Sequence, residues 1–435
     1  LRCETEPRQS PWGQGRGGEA PEQTHGGKAW ESNPPETLPP HQGFEGLRPH
    51  RRPPHPTEVV ATPAGLERFR DGSWLVRPGA LGRLRGMTDP TAPIRLTQTV
   101  SCAGCAAKLN PNMLSQALSG IAWPTDPRVV VGFDQCDDAA IYRLDDGTLL
   151  VSTTDFFTPI VDEPELYGAV AATNALSDVY AMGGEPLFAL NLVHYPEALG
   201  PDILRQILIG GAKVCAEAGC PIVGGHSVKA PEMTYGLAVT GRIRPGERYF
   251  ANAGAQVGDA LVLTKALGTG ILATALKKGL LAPDHRQALL DSLLRLNRHA
   301  ARCMQRFPVH AATDITGFAL GGHGAELASA SQVRLRIDTA RLPLLPGLEA
   351  AVAAGCLTRG DASNRLYAGQ RATVAPGVSA LIGHAVFDPQ SSGGLLIAVA
   401  ASAADELVAA LREGGDLPAT VVGEIAAGAA GIAFV

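Results

Sequence analysis

Two textures alternate along residues 87–435. Short apolar runs such as Leu149-Leu150-Val151-Ser152-Thr153-Thr154 have the length and β-branched content of strands. Longer alanine-rich stretches carry apolar residues at helical spacing. Strands are predicted at 149–154, 221–223, 235–243 and 260–264, with a closing pair near 420–435. Helices are predicted at 167–182, ended by Gly183-Gly184, and at 201–218, stopped by Gly219. Another is opened by Gly268-Thr269-Gly270 and runs to about 278. A long one spans about 284–306, and two more lie near 316–330 and 403–413. Pro245, Gly246, Gly254 and Gly258 cluster where the pattern pauses, which places a boundary near 245–258. No short-period repeat appears. The order predicts two α/β domains, each with helices against a mixed sheet.

Residues 1–86 have no such pattern. They hold 13 of the 33 prolines and no methionine, and stretches such as Asn33-Pro34-Pro35-Glu36-Thr37-Leu38-Pro39-Pro40 offer no apolar period. Such a composition cannot bury enough surface to offset the entropy lost on ordering. A disordered extension is therefore expected over 1–86. The first methionine is Met87, and translation is expected to begin there; a genuine disordered extension is the other reading. No apolar h-region follows a basic start, so a secretory leader is not read here.

Bulk composition narrows the classes. The 435 residues suggest two or three domains, and 45% hydrophobic content supports sizeable cores. A net charge of −5 argues against a nucleic-acid surface, and no long apolar run predicts a membrane span. Eight cysteines without regular spacing do not read as a disulfide framework, which favours a reduced, cytoplasmic setting.

Candidate chemistry begins at Cys102-Ala103-Gly104-Cys105-Ala106-Ala107-Lys108-Leu109, just before a helical pattern at Pro111. A thiol three residues from an ammonium has a reason to ionise, and the small residues leave room for a ligand. Four aspartates stand in apolar surroundings: Asp138, Asp155, Asp178 and Asp314. Asp178 lies one helical turn after Asn174, so the two share a face. Aspartate is rarely buried unless paired or ligating a metal. Several together suggest a shared cation, and all-oxygen ligands favour Mg²⁺ or Mn²⁺. Gly224-Gly225-His226-Ser227 and Ser391-Ser392-Gly393-Gly394 read as turns whose backbone N–H groups could hold an anion. Neither a P-loop nor a dinucleotide fingerprint is present, so any nucleotide needs another architecture.

Together the segments Cys105-Ala106-Ala107-Lys108, Asp137-Asp138-Ala139-Ala140, Ser152-Thr153-Thr154-Asp155-Phe156-Phe157, Asn174-Ala175-Leu176-Ser177-Asp178, Ala181-Met182-Gly183-Gly184, Gly224-Gly225-His226-Ser227, Thr313-Asp314-Ile315-Thr316-Gly317-Phe318 and Asp388-Pro389-Gln390-Ser391-Ser392-Gly393-Gly394 resemble the selenide, water dikinase family. The likeness covers about 95–434. Part of it, 174–186, is shared with aminoimidazole ribonucleotide synthetase and thiamine monophosphate kinase. The resemblance implies an α/β (α+β), two-domain aminoimidazole ribonucleotide synthetase-like fold with mixed sheets behind the disordered extension. Its expected parts are a mobile N-terminal catalytic segment at 87–106, an ATP-binding and dimerisation domain at 107–250 and a C-terminal domain at 251–435. It implies synthesis of selenophosphate, AMP and orthophosphate from selenide, ATP and water, by a homodimer. By position, Cys105 and Lys108 are the implied catalytic residues. Asp138, Asp178 and Asp314 are the implied Mg²⁺ ligands. Lys108, Gln135, Cys136, Asp137, Asp155, Asp178, Gly225, His226 and Ser227 are the implied ATP contacts. Some members carry a second cysteine directly before the lysine; this chain has Ala107 there and Cys102 upstream.

Two other readings compete. One is a different small-molecule kinase of the same superfamily, such as a thiamine monophosphate kinase, which needs no cysteine at 105. The other is a non-enzymatic redox or metal module on Cys102 and Cys105. Zinc would need a second Cys or His pair, and Cys215 and Cys220 lie in and just past a predicted helix, where buried free thiols are expected.

Overall fold

The computed structural model describes residues 66–68, 74–76, 94–100, 104, 111–119, 121, 124–132 and 136–435. Within the first compact unit, 1–76, the described part is one antiparallel pair, β1 (Leu66–Arg68) and β2 (Trp74–Val76). The sequence reading placed no element there, although Asp71-Gly72 between the strands is a hairpin signal. The rest of 1–86, and the disorder expected of it, lies outside the described residues.

The second unit, from Arg77 to Val435, carries two sheets. The first comprises β3 (Val129–Val131), β4 (Ala140–Arg143), β5 (Leu149–Phe157), β6 (Glu185–Tyr195), β7 (Ile222–Lys229) and β8 (Thr234–Ile243). Its order is β3-β4-β5-β8-β6-β7, antiparallel except for the β6–β7 pair. A short helix, α1 (Pro111–Leu118), precedes it, and α2 (Pro164–Ala181) and α3 (Gly200–Ala218) follow β5 and β6. Helix α2 is buried on nearly every side, which is why it reads as alanine-rich rather than amphipathic. It approaches α3 closely enough that a Cβ on Gly168 would stand 1.9 Å from the Ile207 carbonyl oxygen.

The second sheet has the order β10-β13-β9-β14-β11-β15-β12. Its strands are β9 (Asp259–Leu263), β10 (Val309–Asp314), β11 (Arg334–Ile337), β12 (Ala372–Val374), β13 (Leu395–Ala400), β14 (Thr420–Ala426) and β15 (Gly431–Phe434). Strand β15 runs parallel to β11 and β12, so the sheet is mixed. The closing strands do not pair with each other; β11 lies between them. Helices α4 (Thr269–Lys277), α5 (Pro283–Leu294), α6 (Arg298–Met304) and α7 (Ala319–Ser331) pack around it. No helix among the described residues is long and apolar enough to cross a membrane.

The predicted long helix 284–306 is two helices. Arg295 turns extended, with ψ at 121°. The break has a physical cause. Lys265 Nζ donates to the Arg295 carbonyl at 2.6 Å and to the Ser392 carbonyl at 2.8 Å, while Asn297 Nδ2 reaches Ser177 Oγ and the Gly393 carbonyl. A continuous helix would keep the Arg295 carbonyl for its own ladder.

Residues 388–394 join the halves. Asp388 Oδ2 accepts from the N–H groups of Gly270 and Ile271 at 3.0 Å, capping α4. Gln390 Oε1 accepts from Gly268 and Thr269 N–H. Ser392 N–H donates to Asn174 Oδ1 of α2 at 2.7 Å. Gly393 packs so tightly that a Cβ would lie 1.8 Å from the Ile315 carbonyl oxygen.

Burial lifts the Asp388 carboxyl from its ordinary 3.8 to about 7, against the pull of the α4 N–H groups. A carboxyl raised in this way takes up a proton on folding. Its contribution to stability is complete below the unfolded value and is lost as pH rises through about 7. Asp388→Asn cannot ionise. Its melting temperature relative to the parent should therefore rise between about pH 4.5 and about pH 7.5, measured by calorimetry. Parallel pH profiles would show that Asp388 ionises as freely as in the unfolded chain.

Candidate active site

Three of the predicted aspartates meet at the seam between the sheets. Asp138 stands just before β4, Asp178 sits in the last turn of α2, and Asp314 ends β10. Asp138 is held well above the usual carboxylate range, first by burial, then by the charges of Asp314 and Asp178. Like charges this close disfavour joint ionisation.

Hydroxyls line the carboxylates. Thr313 Oγ1 donates to Asp138 Oδ1 at 2.9 Å, and Thr153 Oγ1 donates to Asp178 Oδ2 at 2.5 Å. Asp314 is 1% exposed. Its Oδ2 accepts from Ser177 Oγ at 2.6 Å and its Oδ1 from Thr316 Oγ1 at 3.2 Å. Asn297 Nδ2 in turn donates to Ser177 Oγ at 2.8 Å. Two further predicted contacts lie beside this group. Asp137 Oδ1 accepts from Asn252 N–H at 2.6 Å, and the carbonyl of Cys136, a residue in the left-handed region with φ at 54°, accepts from Asn252 Nδ2. Asp155 Oδ2 accepts from Asn174 Nδ2 at 2.5 Å, which ties Asp155 through α2 to the 388–394 turn.

The donor set suits a hard divalent cation: three carboxylates, no thiolate or imidazole, and mutual repulsion that a cation would relieve. As folded, the oxygens are turned to hydroxyls. No three acidic, histidine or cysteine side chains among the described residues form a finished metal-holding group.

Other predicted residues are placed differently. Gly225, His226 and Ser227 form no turn. They lie inside the edge strand β7, exposed and paired with Asn191, Leu192 and Val193. The strand continues past its predicted end because Gly225 lets β7 lie close on β6: a Cβ there would meet the Asn191 carbonyl oxygen at 2.4 Å. The 391–394 turn is also no open anion cradle, since the N–H groups of Ser391 and Ser392 are taken by Thr269 Oγ1 and Asn174 Oδ1. Cys102, Cys105, Lys108 and Gln135 lie outside the described residues. Described residues on either side of Cys102 are tied down at two points. Asp162 accepts from Arg95 Nε at 2.8 Å and from Thr97 Oγ1 at 2.6 Å. Gly104 N–H donates to the Thr158 carbonyl at 3.0 Å. Gly104 is buried with φ at +64°, and a Cβ there would stand 2.3 Å from Ile160 Cγ2. Its smallness serves packing against the protein.

Sequence reasoning missed Thr153, Ser177, Thr313, Thr316, Asn252 and Asn297. The first four are adjacent to, or within two residues of, a predicted aspartate, which was the available signal. The two asparagines carry none.

The two halves of the chain define its class. Residues 136–243 match the AIR synthase related protein, N-terminal domain, and 256–435 match the C-terminal domain of the same family. The selenide, water dikinase of Pelobacter propionicus is 47% identical over 340 residues, covering 78% of this chain and 97% of that protein. That of Nitratidesulfovibrio vulgaris is 48% identical over 338 residues, covering 76% and 95%. The chain belongs to the selenide, water dikinase family. A thiamine-monophosphate kinase structure from Stenotrophomonas maltophilia is similar in fold, with a TM-score of 0.52, 74% of this chain and 94% of that chain covered, and 22% identity. That likeness shows the fold alone, so the alternative kinase reading is not favoured.

The crowded carboxylates generate a test. Asp138→Asn, Asp178→Asn and Asp314→Asn each remove one charge while keeping an oxygen. Each should lower ATP turnover roughly a hundredfold and raise the Mg²⁺ concentration needed for half-maximal rate, with the circular-dichroism spectrum unchanged. Normal magnesium dependence in all three would sink the shared site.

Proposed function

We propose that the seam between the two sheets is where this chain makes selenophosphate from selenide, ATP and water, releasing AMP and orthophosphate. The observation that carries the assignment of the site is the convergence of Asp138, Asp178 and Asp314 from both halves of the fold. Asp138, Asp178 and Asp314 would hold Mg²⁺. When bound, it would neutralise phosphate charge so that an anionic nucleophile can approach. Asp137 and Asp155, each fixed by an asparagine, flank the carboxylates and would orient the nucleotide. Hydroselenide is the nucleophile that attacks the γ-phosphoryl group, forming the Se–P bond as ADP leaves, and water then splits that ADP to AMP and orthophosphate. Lys108 would offset negative charge on the phosphates or on selenium. Cys105 follows Gly104, whose N–H is bonded to the Thr158 carbonyl. The Cys105 thiolate could accept a hydrogen bond from hydroselenide and so hold the nucleophile with no change of oxidation state.

The working form is a homodimer in the cytoplasm. Among the described residues Cys136, Cys215, Cys220, Cys303 and Cys356 are all free thiols, which suits a reducing compartment. The face of the first sheet away from α2 exposes Phe156, Phe188, Leu190 and Val228. A contiguous apolar face of this kind fits a second copy of the chain. Leu190→Asp with Val228→Asp should halve the mass seen by sedimentation; an unchanged mass would place the dimer contact elsewhere.

The activity is tested by ³¹P NMR of ATP, selenide and Mg²⁺, in which product should appear as a selenium-coupled phosphorus signal. Cys105→Ser should keep ATP binding and lose most of that signal, because a hydroxyl of ordinary pKa cannot replace a thiolate. Cys102→Ser should be much milder. Full product formation by Cys105→Ser would remove Cys105 from the mechanism.

A further inference from the structure

The stretch between β8 and β9 carries a buried amide that bonds to a distant part of the chain. Asn252 is 1% exposed. Its Nδ2 donates to the Cys136 carbonyl at 2.8 Å, and its backbone N–H donates to Asp137 Oδ1 at 2.6 Å. The residue is itself fastened to elements of the second sheet's half. Ser331 Oγ, at the end of α7, accepts from the Ala255 N–H at 3.1 Å and gives its one proton to the Asn252 carbonyl at 2.7 Å. The Ala251 carbonyl accepts from the Ala312 N–H of β10 at 3.1 Å. Gly254 lies so close to β10 that a Cβ there would stand 2.6 Å from the His310 carbonyl oxygen. The stretch is thus fixed against the strand that ends in Asp314.

Cys136 needs holding. Its φ of 54° lies in the left-handed region, where a Cβ crowds the following carbonyl and which glycine, and less often asparagine or aspartate, occupies readily. A cysteine without support returns to extended or right-handed backbone. Such a change, one residue before Asp137 and two before Asp138, would re-aim both carboxylates. Backbone strain of this kind persists only where surrounding bonds maintain it. The Asn252 amide supplies such a bond at the Cys136 carbonyl. Two residues further on, Thr313 Oγ1 of β10 holds Asp138 Oδ1 at 2.9 Å. Together they clasp residues 136–138.

We propose that Asn252 is a positioning residue that keeps Cys136 in its left-handed conformation and so fixes the placement of the Asp138 carboxylate in the cation site. This rests on Asp138 being a ligand of the divalent cation. Outer residues that orient a metal ligand are typically worth ten- to a hundredfold in metal affinity.

The test uses Mn²⁺ as the probe, titrated into the full chain without nucleotide and followed by electron paramagnetic resonance. Asp138→Asn should lose Mn²⁺ binding. Asn252→Ala deletes the amide but keeps the backbone bond to Asp137, and should weaken binding about tenfold. Asn252→Leu keeps the volume without the donor and should do the same; it carries the test should Asn252→Ala fail to fold. The decisive measurement repeats the Asn252 substitution in a Cys136→Gly background. Glycine adopts a φ near that of Cys136 without a clash, so the loss there should shrink to about threefold or less. An equal loss in both backgrounds would overturn the proposal, because the amide would then act by a route other than the Cys136 backbone. Loss of Mn²⁺ binding in Cys136→Gly alone would overturn it as well, since glycine keeps the conformation that the amide defends. Parent-like affinity in a folded Asn252→Ala or Asn252→Leu, with Asp138→Asn defective, would overturn the positioning role alone. Parent-like affinity in Asp138→Asn would overturn the ligand reading and the positioning role with it.

Discussion

The 388–394 turn is the constraint on which the rest of the molecule depends. Its side chains cap α4 through Asp388 and Gln390, its Ser392 N–H is bonded to Asn174 of α2, and its Ser392 and Gly393 carbonyls receive Lys265 and Asn297. Little freedom remains at Gly393, where any side chain would collide with the Ile315 carbonyl. Because Asn174 also bonds Asp155, and Asn297 also bonds Ser177 beside Asp178, the turn sets the distance between carboxylates that belong to different sheets. Even the break between α5 and α6 is tied to it, since Lys265 bonds both the freed Arg295 carbonyl and the Ser392 carbonyl of the turn.

A site built from repelling carboxylates is a poor contributor to stability and a good receiver of positive charge. The protein satisfies the resting carboxylates with hydroxyls, from Thr153, Ser177, Thr313 and Thr316. Neutral donors stabilise the anions without filling the role of a cation. They also rotate readily, so the same oxygens can be released to a stronger partner. Behind one of them, Ser177, the Asn297 amide donates to the hydroxyl that holds Asp314.

Part of the strand and helix order after residue 87 was legible because apolar period is a local property, although strands such as β6, β10 and β13 were not placed. Gly219, for example, ends α3 with φ at 72°, as a glycine after a helical run should. The aspartates were legible for a related reason: charge inside an apolar run is costly unless used. The readings that failed were those in which local pattern and distant partners disagree. The run at 284–306 has helical spacing throughout, yet Lys265 and Asn297 break it. Gly224-Gly225-His226-Ser227 looks like a turn because glycine is common in turns, but here it lets an edge strand lie against β6.

The sequence by itself determined many of the element types and the family, and singled out aspartates that the fold brings together, because these depend on residue chemistry within a few positions. The tertiary structure alone decided which of those residues meet. Asp314 is separated from Ser177 by 137 positions, and Asn297 from Ser177 by 120. No short-range pattern encodes such pairings. They exist because closing the two sheets over one buried turn brings these polar groups within hydrogen-bonding reach of one another.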